Sequence, residues 1–345
     1  MAENNTVRLA LNICTYKRPE QLKRNLDMLL SSHFFNNPEE TDYYGKLEIF
    51  VTDNASEIEA IRGIHLFHNQ NTGGSGGFQR GIEEIRKYDR SVTDSDHITN
   101  VIFMDDDVSF EMDAFYILFD FLKNVDKENA DRPVAGRMFD KDNPDIQWTA
   151  AEKWNGGNIE HVEFLRDITD SLNPYIKGKA ILDTGADYGG FWFCCYPMDY
   201  VRKNDILPFF IHCDDVEYGL RCGKSPMIIE GVHVWHETWD KKMSPTMLYY
   251  DTRNTLFVNR MYGWLPDRPE LMRRWKAKIT EYHNKNDLLS EYMVIRAMGD
   301  FLKGFKWLER TDGCRLNRKL VKTNTCRFKN AFLWRFVMLK AALSA

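Results

Sequence analysis

The stretch VIFMDDDV, residues 101–108, decides how the chain is read. Residues 101–104 are apolar without interruption, as in a strand buried on both faces, and three aspartates follow at once. Such strands belong to parallel sheets covered by helices, where ligands bind beyond the carboxyl ends of the strands. Working outward, the same pattern returns. Residues 7–14 (VRLALNIC) read as a strand that runs into Thr15 to Arg18. Residues 47–52 (LEIFVT) end in Asp53 and Asn54, and residues 64–68 (IHLFH) lead into the glycine-rich NTGGSGG at 71–77. Helical spacing of apolar residues fills the intervals at 20–30, 78–88 and 110–125. The expected class is α/β, Rossmann-like, with a mostly parallel sheet flanked by helices and its polar clusters gathered at one edge.

Toward the C-terminus the pattern is less regular. Residues 186–197 (ADYGGFWFCCYP) are rich in aromatics and glycine, a short helix is expected over 214–222, a short strand over 227–234 and a helix over 247–262. Helical periodicity dominates beyond 264, over 268–283, 287–306 and 327–343, and Pro266 and Pro269 mark a boundary. The expected organisation is a domain at 1–263, divided near 140 into two halves, and a helical region at 264–345. Charge follows the same division: 264–345 carries 18 Lys and Arg against 8 Asp and Glu, and the rest carries 28 against 43. A basic tail on an acidic body fits either an anionic surface or a solvated helical face.

The 345 residues, 43% hydrophobic and 28% charged, exclude wholesale disorder. No apolar run is long enough for a membrane span. The first residues lack a basic start and apolar core, so no signal peptide is expected. Seven cysteines without a CxxC pair lead to an expectation of reduced thiols in the cytoplasm.

At a strand end, side chains alternate, so Asp105 and Asp107 point the same way. Two carboxylates there make an oxygen site for Mg²⁺ or Mn²⁺; the alternative is a cap on the next helix. His236 follows the strand over 227–234 and is a candidate third ligand, which favours Mn²⁺. NTGGSGG matches no named nucleotide fingerprint; it is either an anion-binding helix start or a turn. Arg18 and Arg80 are candidates for a diphosphate. Asp214 and Asp215, with Glu217, are either a capping arrangement or a general base for a hydroxyl. Phe191 and Trp192, beside Gly189 and Gly190, are either core or a sugar-stacking surface.

In combination, the TYKRP after the first strand, the Asp53 strand end, the Asp105–Asp107 triplet and the acidic pair before a helix resemble the inverting family 2 glycosyltransferases of GT-A fold. More narrowly, NTGGSGGFQRG, FMDDDV, DYGGFWFCCYP, DDVEYGLR and VWHETW, in that order, resemble galactofuranosyltransferases of bacterial cell-surface glycans. The resemblance covers about residues 7 to 262. It implies that Asp105, Asp107 and His236 hold Mn²⁺ or Mg²⁺, and that Asp215 deprotonates the acceptor. Asp214, Glu217, Trp192 and Phe191 would hold the acceptor sugar, although the family has a second tryptophan where Phe191 stands. Thr15, Arg18, Asp53 and Asp106 would bind the uridine diphosphate, and Gly73, Gly74 and Arg80 the donor sugar and phosphates. The implied partners are a UDP-sugar and a glycan acceptor carried on lipid, with the basic C-terminal helices at the inner face of the membrane or at an oligomer interface; nucleic acid is not expected. Single or limited addition is expected rather than polymerisation. Rhamnosyl or galactopyranosyl transfer, nucleotidyl transfer and a non-catalytic sugar-binding module are the competing readings.

Overall fold

The computed structural model describes residues 5–36, 41–238 and 243–343. The first half alternates strands and helices: β1 (Leu9–Thr15), α1 (Pro19–Ser31), β2 (Leu47–Asp53), β3 (His65–His68), α2 (Gly73–Ser91), β4 (Asn100–Asp105) and α3 (Asp113–Asn124). Then come β5 (Val134–Asp140), β6 (Ile146–Thr149), β7 (Ala151–Asn155), β8 (Asn158–Val162), β9 (Arg166–Asp167) and β10 (Ala180–Ile181). After β11 (Cys194–Pro197), α4 (Met198–Val201) and α5 (Asp214–Cys222), the last strand is β12 (Met227–His236). The remainder is helical: α6 (Pro245–Met261), α7 (Arg268–Asn284), α8 (Leu288–Phe301), α9 (Phe305–Arg310), α10 (Gly313–Val321) and α11 (Arg327–Leu343).

The main sheet runs β10-β12-β5-β11-β4-β1-β2-β3. Strands β4, β1, β2 and β3 are parallel, as are β5 and β12. Strand β11 lies between these two blocks and is antiparallel to both. Residues 194–197, the end of the aromatic, glycine-rich stretch, form a buried strand that fills the gap between β4 and β5. A four-residue apolar run carries no periodicity to announce a strand. The helix expected over 287–306 is divided: α8 stops at Phe301, and Gly304, at φ +80°, turns the chain into α9.

Two cores clothe the sheet. Leu11, Ile13, Leu26, Leu29, Ile102 and Phe115 fill the side under α1 and α3, and Ala10, Phe78, Ile82, Phe103 and Tyr218 fill the side under α2. A further cluster joins Phe209, Val216, Leu248 and Phe257 to Val294, Ile295, Met298 and Val337, so apolar packing continues across residue 264. Among the described residues no helix is long and apolar enough to cross a membrane. All the cysteines are free thiols.

Helix α2 lies unusually close to β1. A methyl group added at Gly77 would overlap Cys14, and one at Gly81 would overlap Asn12. Asn12 cannot swing aside without losing its 2.9 Å hydrogen bond to the Phe78 carbonyl. Gly81→Ala is therefore expected to destabilise the protein by up to about 2 kcal/mol, an overpacking cost of about 1–3 kcal/mol less the roughly 1 kcal/mol that alanine gains in helix propensity. Urea unfolding of the variant checks this.

Candidate active site

The parallel strands β1, β2, β3 and β4 deliver their polar C-terminal residues to one edge, and the site is built there. Asp106 turns inward and is buried. Its carboxylate accepts from Thr15 Oγ1 at 2.7 Å and from Arg18 at 2.7 Å, while Asn25 of α1 donates to the carbonyls of Asp106 and Val108. Burial raises the Asp106 pKa, and the guanidinium of Arg18 opposes the shift. Asp106 and Asp107 already lie in the turn after β4, and Asp105 and Asp107 both approach His236.

His236 arrives from the other block of the sheet. Because β11 reaches only the level of Phe103, the sheet is open beyond it. The chain after β4 crosses that opening and forms a two-way backbone bridge with the end of β12: Ser109 N donates to Trp235 O at 2.9 Å, and Trp235 N to Ser109 O at 2.8 Å. The next residue, His236, is thereby set with Nε2 3.1 Å from Asp107 Oδ1 and 3.9 Å from Asp105 Oδ2. One ligand atom from each of Asp105, Asp107 and His236 lies within 4.8 Å of the others. Two carboxylates and an imidazole suit Mn²⁺ or Mg²⁺. Arg18 reaches the same group, 3.3 Å from Asp107. Trp239, at the end of the VWHETW motif, lies outside the described residues.

The acidic pair opens α5 after a strained approach. Phe210, His212 and Cys213 all have positive φ, 74°, 67° and 64°, a conformation that costs non-glycine residues energy and concentrates at functional sites. Helix α6 holds this loop. The Asn254 amide donates to the carbonyls of Phe209, Ile211 and His212 at 3.2, 2.8 and 2.9 Å, and buried Arg253 donates to Phe209 at 2.7 Å. Burial pushes the Asp214 carboxyl up, and burial with repulsion from Asp214 pushes Asp215 up to about 8. The Cys14 thiol at the end of β1 feels Asp105, Asp106 and Asp214 together, so the metal-type cluster and the acidic pair surround one end of β1.

Several residues singled out from sequence are engaged by the fold. Trp192 and Phe191 are buried rather than presented as a stacking surface: Trp192 Nε1 donates to Gly136 O at 2.8 Å, and Phe191 stacks on Phe103 at 4.7 Å. They lead directly into β11 and pack into the cores on its two sides, Trp192 under α1 and α3 and Phe191 under α2. Glu217 is fully buried and spends both oxygens on Arg221, at 2.9 and 2.7 Å. Asp53 spends its oxygens on the backbone amides of Ala55, Glu57 and Ile58, shaping the loop after β2. Arg80 pairs with Glu84 and lies over the Phe67 ring, turned toward β3. Gly73, at φ +73°, makes room for the Phe210 carbonyl, whereas Gly74 faces open space at the start of α2.

Other residues had no signal in the sequence. Glu152 of β7 is buried, hydrogen-bonded to His161 at 2.8 Å, and near enough to raise Asp215 by charge repulsion. Beside the ends of β2 and β3, a cleft of about 620 Å³ is lined by Asn54, His68, Asn69, Asn71 and, from α10, Cys314 and Arg318. Arg318 follows the β2 residues by more than 260 positions, so no local pattern links them.

The family description "Glycosyl transferase family 2" matches residues 11–181. Galactofuranosyltransferase GlfT2 of Mycolicibacterium smegmatis is 30% identical over 260 residues, covering 69% of this chain and 38% of that protein. Galactofuranosyltransferase GlfT2 of Mycobacterium tuberculosis is 29% identical over 264 residues, with the same coverage of 69% and 38%. The chain thus matches less than half the length of these curated relatives.

Asn254→Ala takes the Asn254 donor from the carbonyls of Ile211 and His212, while Phe209 keeps the hydrogen bond from Arg253. A loss of about 2–4 kcal/mol in unfolding free energy is expected, with Mn²⁺ affinity at the Asp105–Asp107–His236 cluster retained. Urea unfolding and a metal titration of the same preparation check the pair of outcomes.

Proposed function

The chain carries a glycosyl transferase family 2 domain and resembles galactofuranosyltransferases, and from that premise we propose that it transfers galactofuranose from UDP-galactofuranose to a hydroxyl of a cell-surface glycan precursor, with inversion. The observation that carries this reading is the juxtaposition of the Asp105–Asp107–His236 cluster with the Asp214–Asp215 pair. The first is suited to a sugar diphosphate and the second to an incoming hydroxyl. The relatives' name, galactofuranosyltransferase, supports the choice of sugar.

Asp105, Asp107 and His236 would hold Mn²⁺ or Mg²⁺. When bound, the ion supplies charge neutralisation to the departing diphosphate. Arg18, fixed by Asp106, adds a guanidinium on the same side. The cleft beside Asn54 offers room for the nucleoside end of the donor. As the bond from the anomeric carbon to the phosphate oxygen breaks, the sugar gains oxocarbenium character. The acceptor oxygen forms the new bond from the opposite face, and its proton passes to Asp215. UDP leaves with the electron pair of the broken bond. Asp214 keeps Asp215 basic by repulsion, and Glu152 adds to it. A lipid-linked acceptor and attachment to the inner face of the membrane belong to the same reading.

Release of UDP from a panel of nucleotide sugars, with Mn²⁺ or with EDTA and a galactose-terminated acceptor, tests it. Acceptor-stimulated, EDTA-sensitive release from UDP-galactofuranose alone is expected. Equal release with EDTA removes the metal role, and release from another donor removes the galactofuranose assignment. Asp215→Asn should lower turnover by about 10²- to 10⁴-fold while UDP affinity is kept.

The pH dependence has a definite sign. A base raised to about 8 is mostly protonated at pH 6, so turnover should climb with pH through a limb belonging to the coupled pair. A flat profile across pH 6 to 9 would separate the rate from Asp215.

A further inference from the structure

We propose that α11 lies flat on an anionic lipid bilayer, with one face in the membrane and the other on the protein. This deepens the membrane attachment proposed above and rests on no part of the sugar chemistry.

Helix α11 is apolar on two opposite sides. Asn330, Val337 and Ala341 face inward. Asn330 donates to the Leu288 carbonyl at 2.9 Å and to Glu291 at 2.8 Å, and Val337 packs over Gly299 of α8. Phe328, Phe332, Phe336, Leu339 and Leu343 are instead 60–82% exposed. At 3.6 residues per turn these residues fall within an arc of about 80°, opposite the inward face. The stripe runs the length of a 17-residue helix, about 25 Å. Scattered exposed apolar residues are ordinary, but a continuous row of aromatics and leucines marks a surface that is covered in use.

Charge identifies what covers it. The segment RFKNAFLWRFVMLKAAL contains no acidic residue. Arg335 borders the stripe on one side, and Lys329 and Lys340 on the other. An apolar stripe rimmed by cations is the pattern of a helix lying in the headgroup plane of an acidic bilayer. Such cations contribute roughly fivefold in affinity each. A second copy docking through the same face would bring cationic rims together, which opposes association. Because no described helix can span a bilayer, the contact is with its surface.

The full chain is floated with vesicles of phosphatidylcholine alone and with vesicles containing about one third phosphatidylglycerol. Binding is expected to the second only, weakening at high salt. Replacing the exposed aromatics together, Phe328→Ser, Phe332→Ser and Phe336→Ser, should weaken it about 100-fold or more. Arg335→Glu should weaken it by at least fivefold. Thermal unfolding of each variant is expected to stay near the parent, because the replaced side chains lie outside the core. The proposal is overturned if the parent stays with the soluble fraction, if the triple variant floats undiminished, or if the parent is a dimer in solution that the triple variant dissociates. Charge-dependent flotation from a chain that releases no UDP would uphold the attachment and remove the enzymatic reading.

Discussion

The paired backbone hydrogen bonds between Ser109 and Trp235 are the constraint on which the site depends. The two parallel blocks of the sheet are separated by β11, so the ends of β4 and β12 would otherwise stand three strand spacings apart. The bridge is possible because β11 is short and leaves the upper part of the sheet unfilled. It brings His236 against Asp107 and, with Asp106 anchored by Thr15 and Arg18, turns an acidic strand end into a three-sided ligand set. The contacts that direct these side chains are backbone pairs and buried side chains rather than exposed loops.

The acidic pair depends on a longer mechanical chain. The left-handed residues at 210, 212 and 213 carry a conformational cost, and the Asn254 and Arg253 side chains offset it by hydrogen-bonding the carbonyls of that loop. Helix α6, which supplies both, is itself seated on α8: Tyr249 donates to Asp300 at 2.8 Å, and Val258 and Phe257 share a core with Val294 and Phe301. The C-terminal helices thus contribute to the geometry of Asp214 and Asp215 through α6. The inner face of α11 closes this core, while its outer face is exposed.

Electrostatics set the character of the site. Asp105, Asp106, Asp107, Asp214 and Asp215 converge with Arg18 as the cation among them. Burial of Asp106, Asp214 and Asp215 disfavours their ionised forms, and repulsion adds to it, from Asp107 at Asp106 and from Asp214 and Glu152 at Asp215. For Asp215 this favours the folded state when it is protonated, and that contribution fades as pH rises from the ordinary carboxylate range through about 8. A divalent cation at Asp105, Asp107 and His236 would relieve the same repulsion.

The alternation of apolar runs and polar strand ends along residues 7–108 by itself determined the α/β class, the edge at which the site lies and the triplet that opens it. Backbone periodicity and strand-end alternation are local properties, so a linear chain records them. The helices over 214–222 and 327–343 were legible for the same reason. Only the tertiary structure decided which polar residues are spent on the fold. Glu217 and Asp53 have the composition of site residues, yet Arg221 and the 55–58 amides consume their oxygens. Phe191 and Trp192 look like a sugar platform, yet the strand that follows carries them into the core. Glu152 and Arg318 meet their neighbours only through contacts distant in sequence. A residue type declares what it is able to do, but burial and partners decide what remains free to do it, and those are set by segments that sequence order keeps far apart.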